Sequence, residues 1–406
     1  MSSRSRFIPI ASSAVPLVQS GDSFRTVATG DASTGASLPA TLKGRGTAWA
    51  IAHRFEREER EAVDDGWGAL DQEVSTEHLG PVTTVIEERA KRILNSNDSP
   101  DIHFDLSINP YRGCEHGCIY CFARPSHSYL NMSPGLDFET RIVAKVNAAE
   151  RVRATLASPG YVPRMLNIGA VTDPYQPVER KLRITRGVIE VLAEHRHAFS
   201  VVTKSSGIER DLDIVGEMGR AGLAAVYMSV TSLDSSLSRV MEPRAAAPHR
   251  RLRTIETLAR AGVHVGVSAS PMIPFINEHE LEHILEAARN AGAVSAFSTV
   301  LRLPWEVNPL FQQWLEAHFP DRAARVMARV RDMRGGKDYD SDFSQRMTGT
   351  GPWAQLLRDR FHLAARRLGF SEDRQPLDLS KFVRPASSTD GIAARRDAAS
   401  GQGSLF

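Results

Sequence analysis

The chain has 406 residues, 42% hydrophobic and 24% charged, enough to bury a large core in one big domain or two ordinary ones. Its formal net charge of +2 selects no partner by bulk charge, so any basic binding surface has to be local. No apolar run approaches the roughly 20 residues a membrane helix needs. No apolar core stands behind a basic start, so a cytoplasmic protein is expected.

Residues 1–42 are rich in Ser, Ala, Thr and Gly without periodicity and are expected to form a disordered arm. An N-terminal extension over residues 43–100 opens with Lys43-Gly44-Arg45-Gly46 and runs through Trp49, Arg54 and Phe55 to a charged helix, Glu56 to Val63. Strands and helices then alternate through residues 101–304. Strands are expected at Phe104–Ile108, Met165–Val171, Phe199–Thr203, Ala224–Ser229, His264–Ala269 and Ala296–Leu301, all short apolar runs. Helices are expected at Glu139–Leu156, Arg180–His195, Arg210–Ala221, His249–Ala261 and Glu278–Ala291, several ending near a glycine such as Gly222, Gly262 or Gly292.

Repeated strand–helix units imply a parallel sheet. About six units, fewer than the eight of a closed barrel, predict an α/β partial (β/α)6 TIM-type barrel, with a doubly wound open sheet as the alternative. Helices between Pro309 and Arg334 and between Pro352 and Leu368 are expected to close the domain over residues 305–370. Residues 371–406 read as a flexible tail.

The chain has three cysteines, Cys114, Cys118 and Cys121, all within one short segment. An odd, clustered set cannot complete a disulfide framework and points to a metal site in a reducing compartment. The segment, Asn109-Pro-Tyr-Arg-Gly-Cys114-Glu-His-Gly-Cys118-Ile-Tyr-Cys121-Phe-Ala-Arg-Pro125, follows the first strand, on the face where ligands gather in this fold class. Gly113 and Gly117 allow the tight turns that convergence of three thiolates demands. Three thiolates can hold three irons of a cubane and leave the fourth open for chemistry. A structural zinc site completed by His116 or His127 is the competing reading.

With Tyr120 as its aromatic, this Cys-x-x-x-Cys-x-aromatic-Cys resembles the signature of radical S-adenosylmethionine enzymes. Thr172-Asp173-Pro174-Tyr175-Gln176-Pro177-Val178-Glu179 follows the second strand, Thr203-Lys204-Ser205 the third and Ser229-Val230-Thr231 the fourth. Pro271-Met272-Ile273-Pro274 with Asn277-Glu278 follows the fifth, and Glu242-Pro243 and Arg251 add to the set. Together they resemble the spore-photoproduct-lyase-like branch, from about Gly44 to Leu368.

The resemblance implies a 4Fe–4S cluster on Cys114, Cys118 and Cys121 and S-adenosylmethionine as cofactor. An external reductant would drive cleavage of the sulfonium to a 5′-deoxyadenosyl radical. It implies that Tyr120 packs near the adenine and that Thr172 and Asp173 contact the methionyl amine. Ser229 and Thr231 would reach the ribose or carboxylate, and Lys204 the carboxylate. No catalytic side chain is assigned. The branch returns a hydrogen atom through a further cysteine, which this chain lacks. Tyr111, Tyr129 or Tyr175 would have to substitute.

Nucleic acid is a candidate partner. Arg239, Arg244, Arg250, Arg251 and Arg253 form one basic cluster, and Arg322, Arg325, Arg329, Arg331 and Arg334 another; both also read as solvated helix faces. Gly44-Arg45-Gly46 with Trp49 is a further site for backbone contact or stacking. The tail Gln402-Gly-Ser-Leu405-Phe406 resembles a sliding-clamp docking peptide through Gln402, Leu405 and Phe406. The expected function is a radical enzyme on a DNA lesion or nucleotide-like substrate. A small-metabolite or peptide substrate is one alternative, and a non-catalytic iron–sulfur or zinc DNA-binding protein the other.

Overall fold

The computed structural model describes residue 42 and residues 44–55, 82–371 and 377–384. The arm, the charged helix from Glu56 to Val63 and the clamp-like tail with Gln402, Leu405 and Phe406 lie outside the described residues.

Among the described residues the strands are β1 (Thr84–Glu88), β2 (Leu94–Ser96), β3 (Leu106–Ile108), β4 (Tyr111–Arg112), β5 (Arg141–Lys145), β6 (Leu166–Ile168), β7 (Phe199–Thr203), β8 (Ala224–Ser229), β9 (His264–Met272) and β10 (Ser295–Val300). Strands β3, β6, β7, β8, β9 and β10 stand side by side in chain order, all parallel, as strand–helix repetition demands. Antiparallel β2 flanks β3 at one edge, and at the other β10 pairs with β9 alone among the described strands, which form no closed barrel. The fold is α/β with a partial TIM-type array. Ile108, Ile168, Val201, Val226 and Val267 are fully buried, each contributing about 1.5–3 kcal/mol on leaving water.

The helices are α1 (Leu136–Thr140), α2 (Ala148–Ala157), α3 (Glu179–Leu182), α4 (Ile184–Glu194), α5 (Leu212–Arg220), α6 (Ser235–Met241), α7 (Pro248–Arg260), α8 (Leu281–Asn290), α9 (Val307–His318), α10 (Pro320–Asp332) and α11 (Gly351–Arg367). Helices α5, α7 and α8 pack on the sheet, and α11 covers α8 and β10.

One expected element is overturned. The segment expected as a single helix from Glu139 to Leu156 is the end of α1, then β5, then α2. Arg141-Ile-Val-Ala-Lys has the β-branched centre of a strand, and β1 gives it a parallel partner from Thr84↔Arg141 to Glu88↔Lys145. Tertiary pairing thus overrides helical periodicity. Strand β4 closes this small sheet on the other side of β5. The helix expected from Arg180 to His195 is likewise divided, because Arg183 takes φ 52 and Glu179 turns back to accept from the Thr185 and Arg186 amides of α4.

Candidate active site

The cysteine loop leaves β4 and is held down by backbone bonds from elements on both sides. The Cys114 amide donates to Phe138 O at 2.9 Å in α1, and the Ile119 amide to Met241 O at 3.1 Å at the end of α6. Both expected glycine turns form, with φ 78 at Gly113 and φ 66 at Gly117. A Cβ on Gly117 would also stand 2.7 Å from Glu139 Oε2, so space and backbone both exclude a larger residue.

Glu139 belongs to a buried clamp that sequence reasoning did not find. Arg124 is fully buried and spends all five N–H donors. Its Nε donates to Cys118 O at 3.0 Å, Nη1 to Pro134 O at 3.2 Å and Gly135 O at 2.9 Å, and Nη2 to Gly117 O at 3.2 Å and to the Glu139 carboxylate. Glu139 also accepts from the Gly46 amide at 2.9 Å, which ties the N-terminal extension to the loop. The only sequence signal was an arginine set among apolar residues in Cys121-Phe-Ala-Arg-Pro.

Cys114 and Cys118 are buried, Cys121 is half-buried, and none forms a disulfide. Burial pushes all three thiols up, Cys118 to about 12, and Cys114 feels the sulfurs of both other cysteines. Three crowded thiols that resist ionisation alone are a donor set suited to cationic iron, so the residues fit the cluster. Among the described residues no three His, Cys, Asp or Glu side chains are grouped to hold a single metal ion. A cubane presents a different iron to each thiolate and accepts wider spacing. Of the two candidate zinc imidazoles, His116 Nδ1 lies 3.3 Å from Asp173 Oδ2, and His127 Nε2 lies 3.0 Å from Arg141 O.

On one side of the loop a second buried network gathers around Glu242. Its carboxylate accepts from the Tyr120 hydroxyl, the Thr231 hydroxyl and Arg251 Nη2. Arg251 also donates to Ser229 O at 3.1 Å. Lys204 lies 5.8 Å from the Tyr120 ring centroid. Burial alone would lower its pKa, but Cys118 and Glu242 outweigh that and hold it above its ordinary value. So Tyr120, Ser229, Thr231 and Lys204 are brought together beside Cys118.

Thr172 and Asp173 sit across from them and are occupied. Thr172 Oγ1 donates to Tyr111 O at 2.9 Å. Asp173 accepts from the Tyr175 amide at 2.8 Å, Thr203 Oγ1 at 2.8 Å and the Lys204 amide at 2.7 Å, so it latches the loop after β6 to the end of β7. Burial would raise its pKa; His116 and these bonds hold it below the usual carboxylate value.

Of the tyrosines considered as hydrogen donors, Tyr111 donates to Glu179, Tyr175 to Asp211 at 3.1 Å, and Tyr129 is exposed at the surface. Many of the clustered arginines have partners within the protein. Arg251 and Arg334 are buried struts, Arg334 donating to Gln345 O, Leu301 O and Arg346 O. Arg244 pairs with Glu115, Arg250 with Glu209 and Arg331 with Asp338, while Arg325 lies 4.0 Å over the Phe275 ring. Among the described residues no helix is long and apolar enough to cross a membrane.

Comparison with known proteins places this site in a family. An uncharacterized protein of Mycobacterium tuberculosis is 33% identical over 230 residues, spanning 56% of this chain and 68% of the relative. One from Methanocaldococcus jannaschii is 23% identical over 240 residues, spanning 58% of this chain and 84% of the relative. The structure of spore photoproduct lyase complexed with dinucleoside spore photoproduct has a TM-score of 0.46 and 14% identity, covering 71% of this chain and 81% of that one. The family model for the radical SAM superfamily matches residues 108–288, from the last residue of β3 into α8. The match takes in the cysteine loop and the network around Glu242, and the chain belongs to the radical S-adenosylmethionine superfamily, whose members use a 4Fe–4S cluster with S-adenosylmethionine.

Proposed function

We propose that the protein is an enzyme acting on a DNA lesion or another nucleotide-like substrate, with Cys114, Cys118 and Cys121 as its cluster ligands. The observation that carries the reading is the meeting of three clustered thiols, two of them buried, with the Tyr120–Glu242–Lys204 network at the C-terminal ends of β7 and β8. When bound, the cluster and S-adenosylmethionine supply a carbon radical able to take a hydrogen atom from a substrate. Arg124 fixes the carbonyls of Gly117 and Cys118 and so sets the path of the loop. Glu242 holds the Tyr120 ring in one orientation for the adenine. Lys204 supplies a cation for a carboxylate, and Thr231 and Ser229 line the same side. Asp173 has one acceptor position on Oδ2 beyond the three bonds of its latch, facing His116, where an amine would take the place of that imidazole contact. The nucleotide-like substrate rests on the resemblance of the strand-end segments, from Thr172–Glu179 to Asn277–Glu278, to the spore-photoproduct-lyase-like branch.

Anaerobic reconstitution is expected to load about four irons per chain, and Cys114→Ala, Cys118→Ala and Cys121→Ala should each lose them. Dithionite-reduced protein with S-adenosylmethionine should release 5′-deoxyadenosine and methionine. Stoichiometric zinc that survives iron loading would overturn the reading. A separate expectation concerns Asp173→Asn, which keeps size but loses charge: cofactor affinity measured by calorimetry should fall while iron content stays. Unchanged affinity would assign Asp173 to the latch alone.

A further inference from the structure

Two groups of exposed rings, each held by a half-buried arginine, lie on the cysteine loop and on the segments beside it in sequence or space, and have no part in the chemistry above. Phe122, next to Cys121, is 44% exposed, and Arg302 lies over its ring at 4.8 Å. Three residues after Arg302, Trp305 is 59% exposed with φ 45, a backbone conformation rare for a bulky side chain and a sign of functional constraint. Arg54 then lies 4.5 Å from the Trp305 ring, 5.3 Å from Tyr129 and 4.7 Å from Phe55. Tyr129 is 69% and Phe55 47% exposed.

Arg54 is fixed in this stack by buried Glu306, which takes its Nη1 at 2.8 and 2.7 Å. Arg54 Nη2 and Arg302 Nε are buried donors without a hydrogen-bond partner. These side chains come from the loop after β4, the N-terminal extension and the segment after β10.

We infer that these two groups form a stacking platform for the unpaired bases of single-stranded nucleic acid, an inference that rests on the nucleotide-substrate reading and says where the strand lies. Each of these aromatic side chains is exposed, between 44% and 69%, and flat heterocycles stack on exposed rings without regard to sequence. Glu306 neutralises Arg54, so free cationic charge is sparse; an acidic peptide would find little beyond Arg302, whereas bases use the rings themselves. Duplex bases are already stacked on one another, which leaves an unpaired or extruded segment as the occupant.

The test is fluorescence anisotropy of a short labelled oligodeoxythymidine titrated with the full chain at low and moderate salt. Wild type should bind, and Trp305→Ala and Phe122→Ala should each weaken binding by roughly 5- to 150-fold, the range for loss of one stacked base. Trp305→Phe should restore most of it, with melting temperature unchanged throughout. Equal binding by wild type, Trp305→Ala and Phe122→Ala overturns the platform while leaving the nucleotide reading intact. Absence of binding by wild type to single-stranded and duplex DNA at low salt overturns both. Trp305-dependent binding of an acidic peptide with no oligonucleotide binding also overturns the platform.

Discussion

Arg124→Ala is expected to destabilise the protein by about 3–5 kcal/mol and to leave it unable to retain iron. The substitution strips Glu139 of its buried cation and leaves the carbonyls of Gly117, Cys118, Pro134 and Gly135 without their donor. Both effects act on the turn between the first two cysteines. Arg124→Lys separates them. It restores positive charge opposite Glu139, but an ammonium cannot reproduce the planar fork that reaches four carbonyls. Lysine should therefore recover part of the urea midpoint and little of the iron. Wild-type iron content in Arg124→Ala would show that the loop holds its shape without the clamp.

Glu242→Ala carries the other large expected effect. It leaves Arg251 charged and fully enclosed and removes the acceptor shared by Tyr120 and Thr231, a loss of about 3–5 kcal/mol by denaturant unfolding. Replacing both partners with methionine should recover much of that stability, since no buried charge remains, yet affinity for S-adenosylmethionine should stay low because Tyr120 has lost its anchor. The same pair predicts an acid limit. Burial would raise the Glu242 carboxyl, but Arg251, Lys204 and the hydroxyl bonds outweigh it and hold the carboxyl at about 2. In the unfolded chain it titrates near ~4.3. A depressed folded pKa contributes stability that is complete above ~4.3 and is lost as pH falls towards about 2. Denaturant midpoints across that window should drop in wild type and flatten in the double-methionine variant. A wild-type slope retained in the double variant would assign the acid sensitivity to other carboxylates.

The parallel strands were legible because each is a short apolar run covered on both faces, a pattern carried by composition and spacing. β7 and β8 match their expected bounds. The cysteine loop was legible because its residue types and spacing are the chemistry itself. Long-range polar pairing was not. Glu242 and Arg251 stand in a stretch that looks like a basic surface loop, and only the fold brings β8 and α7 together with the cysteine loop to bury them. Arg124 and Glu139 read as ordinary charges for the same reason. The missed β5 depends on β1, whose pairing segment lies more than fifty residues earlier in the chain; no local window contains that information.

That small sheet reaches beyond the region the family match covers. The family match starts at residue 108, yet β4, the strand that launches the cysteine loop, hangs on β5, and β5 is backed by β1 from residues 84–88. Gly46 lies still closer, for a Cβ there would fall 1.8 Å from Gly117 O. A fragment cut at the shared region's border would keep every cysteine and most of the parallel strands, but would expose the far edge of β5 and empty the seat beside Gly117. The region the family match covers is therefore smaller than the structure that holds the cysteine loop in place, and the stretch before residue 108 acts as its brace.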